Sequence, residues 1–247
     1  MTEPTATETT PPLSLLSRII GVITSPKATY ARVVAAPRPV GVLFVCALAI
    51  GIGITIPQMT EPARQQALGM QVKVMERFGV PVTPEAYQQM EARSRNKVFT
   101  ALGALQPLIG IPILALVLTS LFWVFFNAIL GGTATFKQVL AVTSHSYVIT
   151  ALAVLLTAPV LYYRFEMSMG GPYSLGALVS FLDEGSALAR FLRGVSIFSI
   201  WAWINVSIGL GVLYRRNSRT ISIVLLLLFI VFTYAMTSIF GSFFGGA

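Results

Sequence analysis

Long apolar runs separated by short polar segments dominate the chain. Five runs contain no charged residue, and they cover about residues 40–56, 101–130, 139–161, 195–214 and 221–240. A helix needs roughly 20 residues to cross a hydrocarbon core about 30 Å thick, so each run can form a transmembrane helix. The pattern predicts an all-α, polytopic membrane bundle with five transmembrane helices over residues 39–243. Pro107 and Pro112 interrupt the second run, which we therefore expect to be kinked or tilted.

The residues before the first run divide into a polar tail and an amphipathic segment. Residues 1–12 are rich in Thr, Pro and Glu and show no apolar periodicity, which predicts a disordered tail. Over residues 13–38, apolar side chains recur at helical spacing opposite Arg and Lys, and Ser25-Pro26 is a typical start for a second short helix. We expect two short amphipathic helices that either lie at the membrane interface or pack on the end of the bundle.

The polar segment 57–100, between the first two runs, contains a further helix start. The sequence Thr-Pro-Glu at residues 83–85 supplies a cap, a proline in the first turn and an early acid. Glu91 and Arg95 then stand four residues apart, which favours a helix that continues straight into the second apolar run.

One short connection decides the predicted orientation. Lys and Arg are nearly balanced between the two predicted sides of the membrane, with eight on the N-terminal side and nine opposite. The positive-inside rule applies best to short loops, and Arg215, Arg216 and Arg219 crowd the very short connection between the last two runs. We therefore predict a cytoplasmic N-terminus and an external C-terminus.

Composition and charge support a membrane protein and argue against a nucleic-acid-binding one. Only 11% of the 247 residues are charged and the mean hydropathy is +0.77, whereas soluble domains carry roughly 25% charged residues. The net charge of +8 comes from basic residues that lie between apolar runs rather than along one helical face, so we expect no nucleic acid partner. Cys46 is the single cysteine, so an intrachain disulfide or a multi-cysteine metal site is excluded.

The search for catalytic chemistry finds no nucleotide-binding loop, zinc-protease motif or cysteine cluster, so we predict no catalytic, cofactor or metal site. Among the polar residues within the apolar runs, Asn127, His145 and Asn205 are the candidates for a site. With the predicted orientation all three lie in the cytoplasmic half of the bilayer, where unpaired polar groups are costly. The hypothesis is one interhelical hydrogen-bonded cluster, which serves either as structural glue or as a ligand, proton or lipid-headgroup site.

Several segments together resemble the YIP family, the Ypt/Rab-interacting-protein domain of membrane proteins. The resemblance rests on S-P-K-A-T-Y at residues 25–30, G-G-T-A-T-F-K-Q at 131–138, and F-S-I-W at 198–201 followed by Gly209. These segments occur in the family's order within residues 15–240. The chain looks like a prokaryotic member, which implies location in the plasma (inner) membrane.

The resemblance implies a non-enzymatic scaffold or adaptor that organises protein partners or lipids at the bilayer. The expected partners are the lipid bilayer itself and a membrane protein or a second copy of the chain. Eukaryotic members bind prenylated small GTPases, but their D-L-Y-G-P motif is absent, so we do not expect GTPase binding here. The alternative function is a small permease or an accessory subunit of a membrane export system, in which the kinked second span would line a substrate path.

Overall fold

The computed structural model describes residues 13–164, 171–179, 181–183 and 186–244, with side chains described as far as Ile239. The predicted tail at residues 1–12 lies outside the described residues. Within these ranges the chain forms eleven α-helices: α1 Leu15–Thr24, α2 Pro26–Ala35, α3 Pro39–Thr55, α4 Glu61–Arg77, α5 Pro84–Arg95, α6 Lys97–Leu105, α7 Pro107–Trp123, α8 Phe136–Arg164, α9 Ala187–Gly194, α10 Ile197–Leu213 and α11 Ser218–Phe244. A π-helical segment, Val124–Ile129, follows α7, and short 3-10 turns lie at Pro57–Met59 and Leu175–Leu178.

Among the described residues, four helical segments are long and apolar enough to cross a membrane: Pro39–Met59, Lys97–Ile129, Phe136–Arg164 and Ser218–Ile239. The helix at the fourth predicted span, α10, has 17 residues and is apolar but shorter. It packs antiparallel to α11. Gly194, shortly before α10, lies against Thr233, the Trp203 ring lies against Phe229, and Gly211 lies against Ser218. The predicted all-helical, multi-span character is therefore confirmed.

The centre of the bundle is formed by α3, α8 and α10, which approach one another closely at glycines. A Cβ atom on Gly53 would lie 2.5 Å from a methyl carbon of Val154, and one on Gly209 would lie 2.5 Å from a methyl carbon of Val142. Because only hydrogen occupies these positions, the helices can pack at short range and gain dispersion contacts that lipid cannot replace. The outer spans, α7 and α11, bury a much smaller share of their surface than α3 and α8.

The helix of the second span is interrupted, as predicted, but only one of the two prolines coincides with the break. The helix breaks at Gln106 between α6 and α7, because Pro107 has no N–H to continue the hydrogen-bond ladder, whereas Pro112 lies inside α7. The helix of residues 84–95 does not continue straight into this span, so that expectation is wrong. Asn96 takes an extended conformation, with ψ of 117°, and its Oδ1 accepts a hydrogen bond from the Val98 N–H at 2.9 Å to start α6 anew.

Helices α4 and α5 form an antiparallel hairpin at the end of the bundle where α3 finishes. Its base is held by Glu61, whose carboxylate pairs with Arg64 at 2.6 Å and with Arg95 at 2.9 Å. Arg95 also pairs with Glu91 at 3.0 Å, as the spacing predicted. Hydrogen bonds from Arg64 and Gln65, with the charge of Arg95, lower the pKa of Glu61 to about 2.

The predicted N-terminal helices are present and pack on the opposite end of the bundle, against α8 and α10. Val22, Tyr30 and Val33 are buried in this contact, whereas Leu16 and Ile20 point outward and are exposed. Helix α2 begins at Pro26, as expected, and α1 and α2 approach closely because Gly21 faces Thr29. The buried face of the pair joins the hydrophobic core of the bundle.

Candidate functional site

A buried polar seam lies beneath α1 and α2, and we define it by Arg18, Tyr30, Gln138, His145 and Asn205. These residues come from the N-terminal pair, from α8 and from α10. Tyr30, His145 and Asn205 have no exposed surface. Most polar side chains buried this deeply are hydrogen-bonded, so the partner of each one is informative.

Pro26 explains why Asn205 is placed where it is. In a continuous helix the carbonyl of Val22 would accept a hydrogen bond from the N–H of residue 26, but proline has none. The Asn205 Nδ2 donates to this carbonyl at 3.0 Å and replaces the missing partner. The same amide accepts a hydrogen bond from the Tyr30 hydroxyl on its Oδ1 at 2.6 Å. One side chain of α10 therefore fastens both N-terminal helices.

His145 has its ring orientation fixed by two neighbours. Its Nδ1 lies 2.7 Å from the carbonyl oxygen of Ala141, which can only accept, so Nδ1 carries the proton. Its Nε2 faces the Arg18 Nη1 at 3.4 Å, and a guanidinium can only donate, so Nε2 accepts. The same Arg18 nitrogen donates to the carbonyl of Arg38 at 2.9 Å. His145 thus links α8 to α1 and to the start of α3.

Among the described residues, the hydrogen-bonding partners of the Arg18 guanidinium are neutral acceptors. The guanidinium contacts the carbonyls of Ser14 and Arg38 and the imidazole of His145, and no Asp or Glu occurs between residues 9 and 60. Burial, together with the neighbouring charge of Arg38, lowers the pKa of Arg18. Burial raises the pKa of Tyr30 far above its ordinary value, so its hydroxyl remains a hydrogen-bond donor at any physiological pH.

Gln138 connects the seam to the beginning of α8. Thr135 caps this helix: its hydroxyl accepts from the Gln138 N–H at 3.3 Å, and the Gln138 Oε1 accepts from the Thr135 N–H at 2.9 Å. This reciprocal arrangement is a capping box. The Gln138 Nε2 then donates to the carbonyl of Val34 at 3.1 Å, which satisfies an end carbonyl of α2.

Asn127 belongs to a different site. It lies in the π-helical segment, where its Nδ2 donates to the carbonyl of Ala134 at 2.7 Å. Trp123 donates to the same carbonyl through Nε1 at 3.1 Å. These two bonds fold the Gly131-Gly132 loop back onto the end of the second span.

The structure does not join the three predicted residues directly to one another. His145 and Asn205 both enter the seam but bond to partners on α1 and α2, while Asn127 bonds to its own loop. The sequence argument missed Arg18, Tyr30 and Gln138, since it sought partners only within the apolar runs. A signal existed in Pro26, whose missing N–H leaves one carbonyl in need of a donor from elsewhere.

The fold and the seam define a polytopic helical membrane protein whose N-terminal helix pair is bound to the bundle by side-chain hydrogen bonds. The sequence matches the family described as Yip1 domain over residues 20–240, so the chain belongs to this family. It is 26% identical over 220 residues to a protein named membrane protein YknW from Bacillus subtilis (strain 168), covering 87% of each chain. No solved structure matches it.

Two of the segments that carry the family resemblance, and Gly209, meet at the seam. Residues 25–30 supply Pro26 and Tyr30, and residues 131–138 supply the loop and Gln138. Gly209 lies against the Tyr30 ring, where a Cβ atom would come within 3.0 Å of it. The arrangement can hold the N-terminal pair in one position on the bundle, which is a structural task that requires no reaction.

Proposed function

We propose that this protein is a non-enzymatic membrane adaptor that binds a partner membrane protein through the α4–α5 hairpin. The observation that carries the proposal is an apolar stripe on the outer half of α4. Met70 and Val74 stand four residues apart on one face of α4, and Phe78 follows four residues later as the residue that caps the helix, its N–H bonded to the Val74 carbonyl at 3.2 Å. All three side chains are exposed. Phe78 is the most exposed, at 73%.

The construction of the hairpin supports a docking role. Ala63 and Leu68 are buried at its base, and the Glu61 pairs fix the two helices there. The stripe lies beyond this base, among charged residues such as Lys73 and Glu76. An apolar face with a polar surround is the composition of a protein interface rather than of a lipid-facing span. The occupant we propose is the extramembrane part of another membrane protein.

A site-specific cross-linking experiment tests the adaptor role. A photoreactive amino acid replaces Val74 in the full chain in native membranes, and the same probe at the exposed Gln89 on α5 is the matched control. We expect an adduct with one defined membrane protein from position 74 only, and a several-fold lower yield when Phe78→Ser is added. Equal adducts from both positions would contradict the proposal, and so would a yield that Phe78→Ser leaves unchanged. An adduct with a second copy of the chain would also contradict it, because the stripe would then be the contact of a homo-oligomer.

A second candidate is an accessory or transport role, and the break in the second span favours it. The end of α6 is pressed against α3, because the Ala104 carbonyl lies directly over Gly51, and Gln106 interrupts the apolar run at this point. Helices broken within a membrane span are a feature of transporters. The cross-linking experiment separates the two roles, since an accessory subunit would capture a component of an export system at position 74.

The membrane arrangement is part of the proposal. We propose that α10 is a fifth span, that α1 and α2 lie at the interface with Leu16 and Ile20 toward lipid, and that their side is cytoplasmic in a prokaryotic inner membrane. A single cysteine at position 89 or 217, placed in a Cys46→Ala chain, tests the orientation. A membrane-impermeant maleimide added to intact cells should label position 89 only. Labelling of position 217 instead would show that the orientation is the reverse of the one proposed.

A further inference from the structure

An apolar cleft of about 350 Å³ opens at the bundle end that carries α1 and α2. It lies between the π-helical segment and the first turns of α11. Its walls include Phe125, Phe126, Leu130, Thr220 and Val224, with Arg216 at the rim. Phe125 and Val224 are exposed on the outer surface of their helices, so the cleft faces the surroundings of the bundle rather than its centre.

Local geometry builds the inner wall of the cleft. The π-helical turn places Phe125 and Phe126 edge to face, with ring centroids 5.4 Å apart. Phe126 also stacks on Tyr214 at 4.6 Å. Gly131, with φ of 70°, lets the chain turn back, and the Gly132 N–H donates to the Phe126 carbonyl at 2.9 Å. Single π-helical turns are frequent at functional sites, and here the turn holds two aromatic rings in place.

The rim of the cleft suits a phosphate group. Arg216 is anchored by one hydrogen bond, from Nη2 to the Leu130 carbonyl at 2.9 Å, and a guanidinium has five N–H donors. The N-terminus of α11 begins two residues later, and Asn217 caps it by accepting from the Arg219 N–H at 2.9 Å. A helix N-terminus and an arginine together favour an anion.

The charge at this end of the bundle complements such a ligand. Eight basic residues belong to it: Arg18, Lys27, Arg32, Arg38, Lys137, Arg215, Arg216 and Arg219. Segments 13–60, 99–165 and 185–247 contain no Asp or Glu, so no acid among the described residues of this end offsets these bases. The described residues of the opposite end include nine bases and five acids, Glu61, Glu76, Glu85, Glu91 and Asp183, so the positive charge there is partly offset. Basic clusters at a membrane surface attract anionic lipids.

We propose that this cleft binds an anionic phospholipid, with its phosphate at Arg216 and an acyl chain between Phe125 and Val224. The apolar walls favour a chain-bearing ligand over free phosphate, which would leave them without contacts. The basic rim favours an anionic headgroup over a zwitterionic one. The inference rests on the membrane location of the bundle and not on the adaptor role, since the cleft and the hairpin lie at opposite ends.

Lipid retention by the full chain tests the proposal. The protein is purified in mild detergent with equal amounts of phosphatidylglycerol and phosphatidylcholine of the same acyl chains, and the bound lipid is counted by native mass spectrometry. Arg216→Gln removes the phosphate contact, and Val224→Trp fills the cleft. Arg219→Gln is the matched control, because Arg219 is an exposed arginine of the same turn that does not line the cleft.

We expect selective retention of phosphatidylglycerol, an about tenfold loss with Arg216→Gln, as for one charge-assisted contact, and a similar loss with Val224→Trp. Arg219→Gln should change retention less than twofold. An equal loss of retention with Arg219→Gln would show that diffuse surface charge, and not the cleft, attracts the lipid, and it would overturn the site. Equal binding of phosphatidylcholine would also overturn it. Displacement by inorganic phosphate alone would overturn the lipid assignment.

A second measurement does not depend on the folding of any variant. Phosphatidylglycerol with a photoactivatable group on one acyl chain is irradiated with the unaltered protein, and the modified peptides are sequenced. Adducts within residues 124–130 and 220–225 are expected. Adducts spread over all spans, or absent from these two segments, would refute the site.

Discussion

The bond between Tyr30 and Asn205 provides the sharpest test of how the N-terminal pair is held. Tyr30→Phe removes one hydroxyl and nearly conserves the volume of the ring. Both residues have no exposed surface, so Asn205 Oδ1 loses its donor in a place where water is excluded. The Asn205 Nδ2 retains its bond to the Val22 carbonyl. The substitution therefore isolates a single hydrogen bond.

The expected loss of stability follows from the hydrogen bonds that the Tyr30 hydroxyl and the Asn205 amide form once α1 and α2 detach from the bundle. A buried acceptor that loses its donor costs about 1–3 kcal/mol in soluble proteins. Hydrogen bonds between membrane helices average about 0.6 kcal/mol, because the separated helices find other partners. Tyr30 belongs to a short helix outside the four long spans, and its hydroxyl returns to water. We expect an intermediate loss of about 1 kcal/mol, which raises the detached population about fivefold.

Hydrogen exchange of the full chain in lipid nanodiscs measures this population. Amides of α2 should exchange about fivefold faster in Tyr30→Phe, while those in the middle of α8 stay unchanged. Tyr87→Phe is the matched control, since it removes a half-buried hydroxyl that donates to Gln65 at 3.2 Å in the distant hairpin. In the double variant with Asn205→Ala, the Tyr30 substitution should add little.

Two outcomes would refute the reasoning. If Tyr30→Phe leaves α2 exchange at the level of Tyr87→Phe, the bond does not hold the pair. If the effects of Tyr30→Phe and Asn205→Ala add fully, the two side chains act independently and the geometry of the seam is not what fastens α2.

Two further predictions concern packing and pH. Gly209→Ala should destabilise the bundle by about 1–3 kcal/mol, because its methyl group would overlap side chains that include Tyr30; Gly110→Ala, in open space, should be neutral or slightly stabilising in the same thermal unfolding assay. The pKa of Glu61 is about 2 in the folded protein and about 4.3 in the unfolded chain. The stabilisation of the hairpin by its carboxylate is therefore complete above about pH 4.3 and is lost as the pH falls toward 2. Spin-label distances between α4 and α5 should widen over that range, and Glu61→Gln should be open already at pH 7; an unchanged distance in Glu61→Gln would contradict the clamp.

Much of the fold could be predicted because its causes are local. A long run without charges forms a helix apolar enough to cross a membrane, and the Thr-Pro-Glu start of α5 and the proline start of α2 need only neighbouring residues. The break at Asn96 could not be predicted in this way. The periodicity on both sides favours one helix, and the choice of Asn96 as a new cap depends on how the hairpin meets the second span.

Some residues of the seam could be predicted from the sequence and others could not, because only a polar residue within an apolar run stands out. Asn205 and His145 stand out because polar groups are costly inside apolar runs. Tyr30 does not, since on a short amphipathic helix an aromatic residue fits the apolar face whether or not its hydroxyl has a partner. Its partner lies 175 positions away along the chain, and no periodicity encodes a pairing of that separation.

Asn205 fastens α1 and α2 through the Val22 carbonyl and the Tyr30 hydroxyl, and this has a consequence for biosynthesis. The N-terminal pair leaves the ribosome long before its anchor, because Asn205 lies 175 positions after Tyr30 along the chain. Until α10 has been synthesised, the Val22 carbonyl and the Tyr30 hydroxyl must form their hydrogen bonds with water or with a chaperone. A nascent chain halted before residue 205 should therefore expose α1 and α2 to protease, and their protection would mark the moment at which assembly is complete.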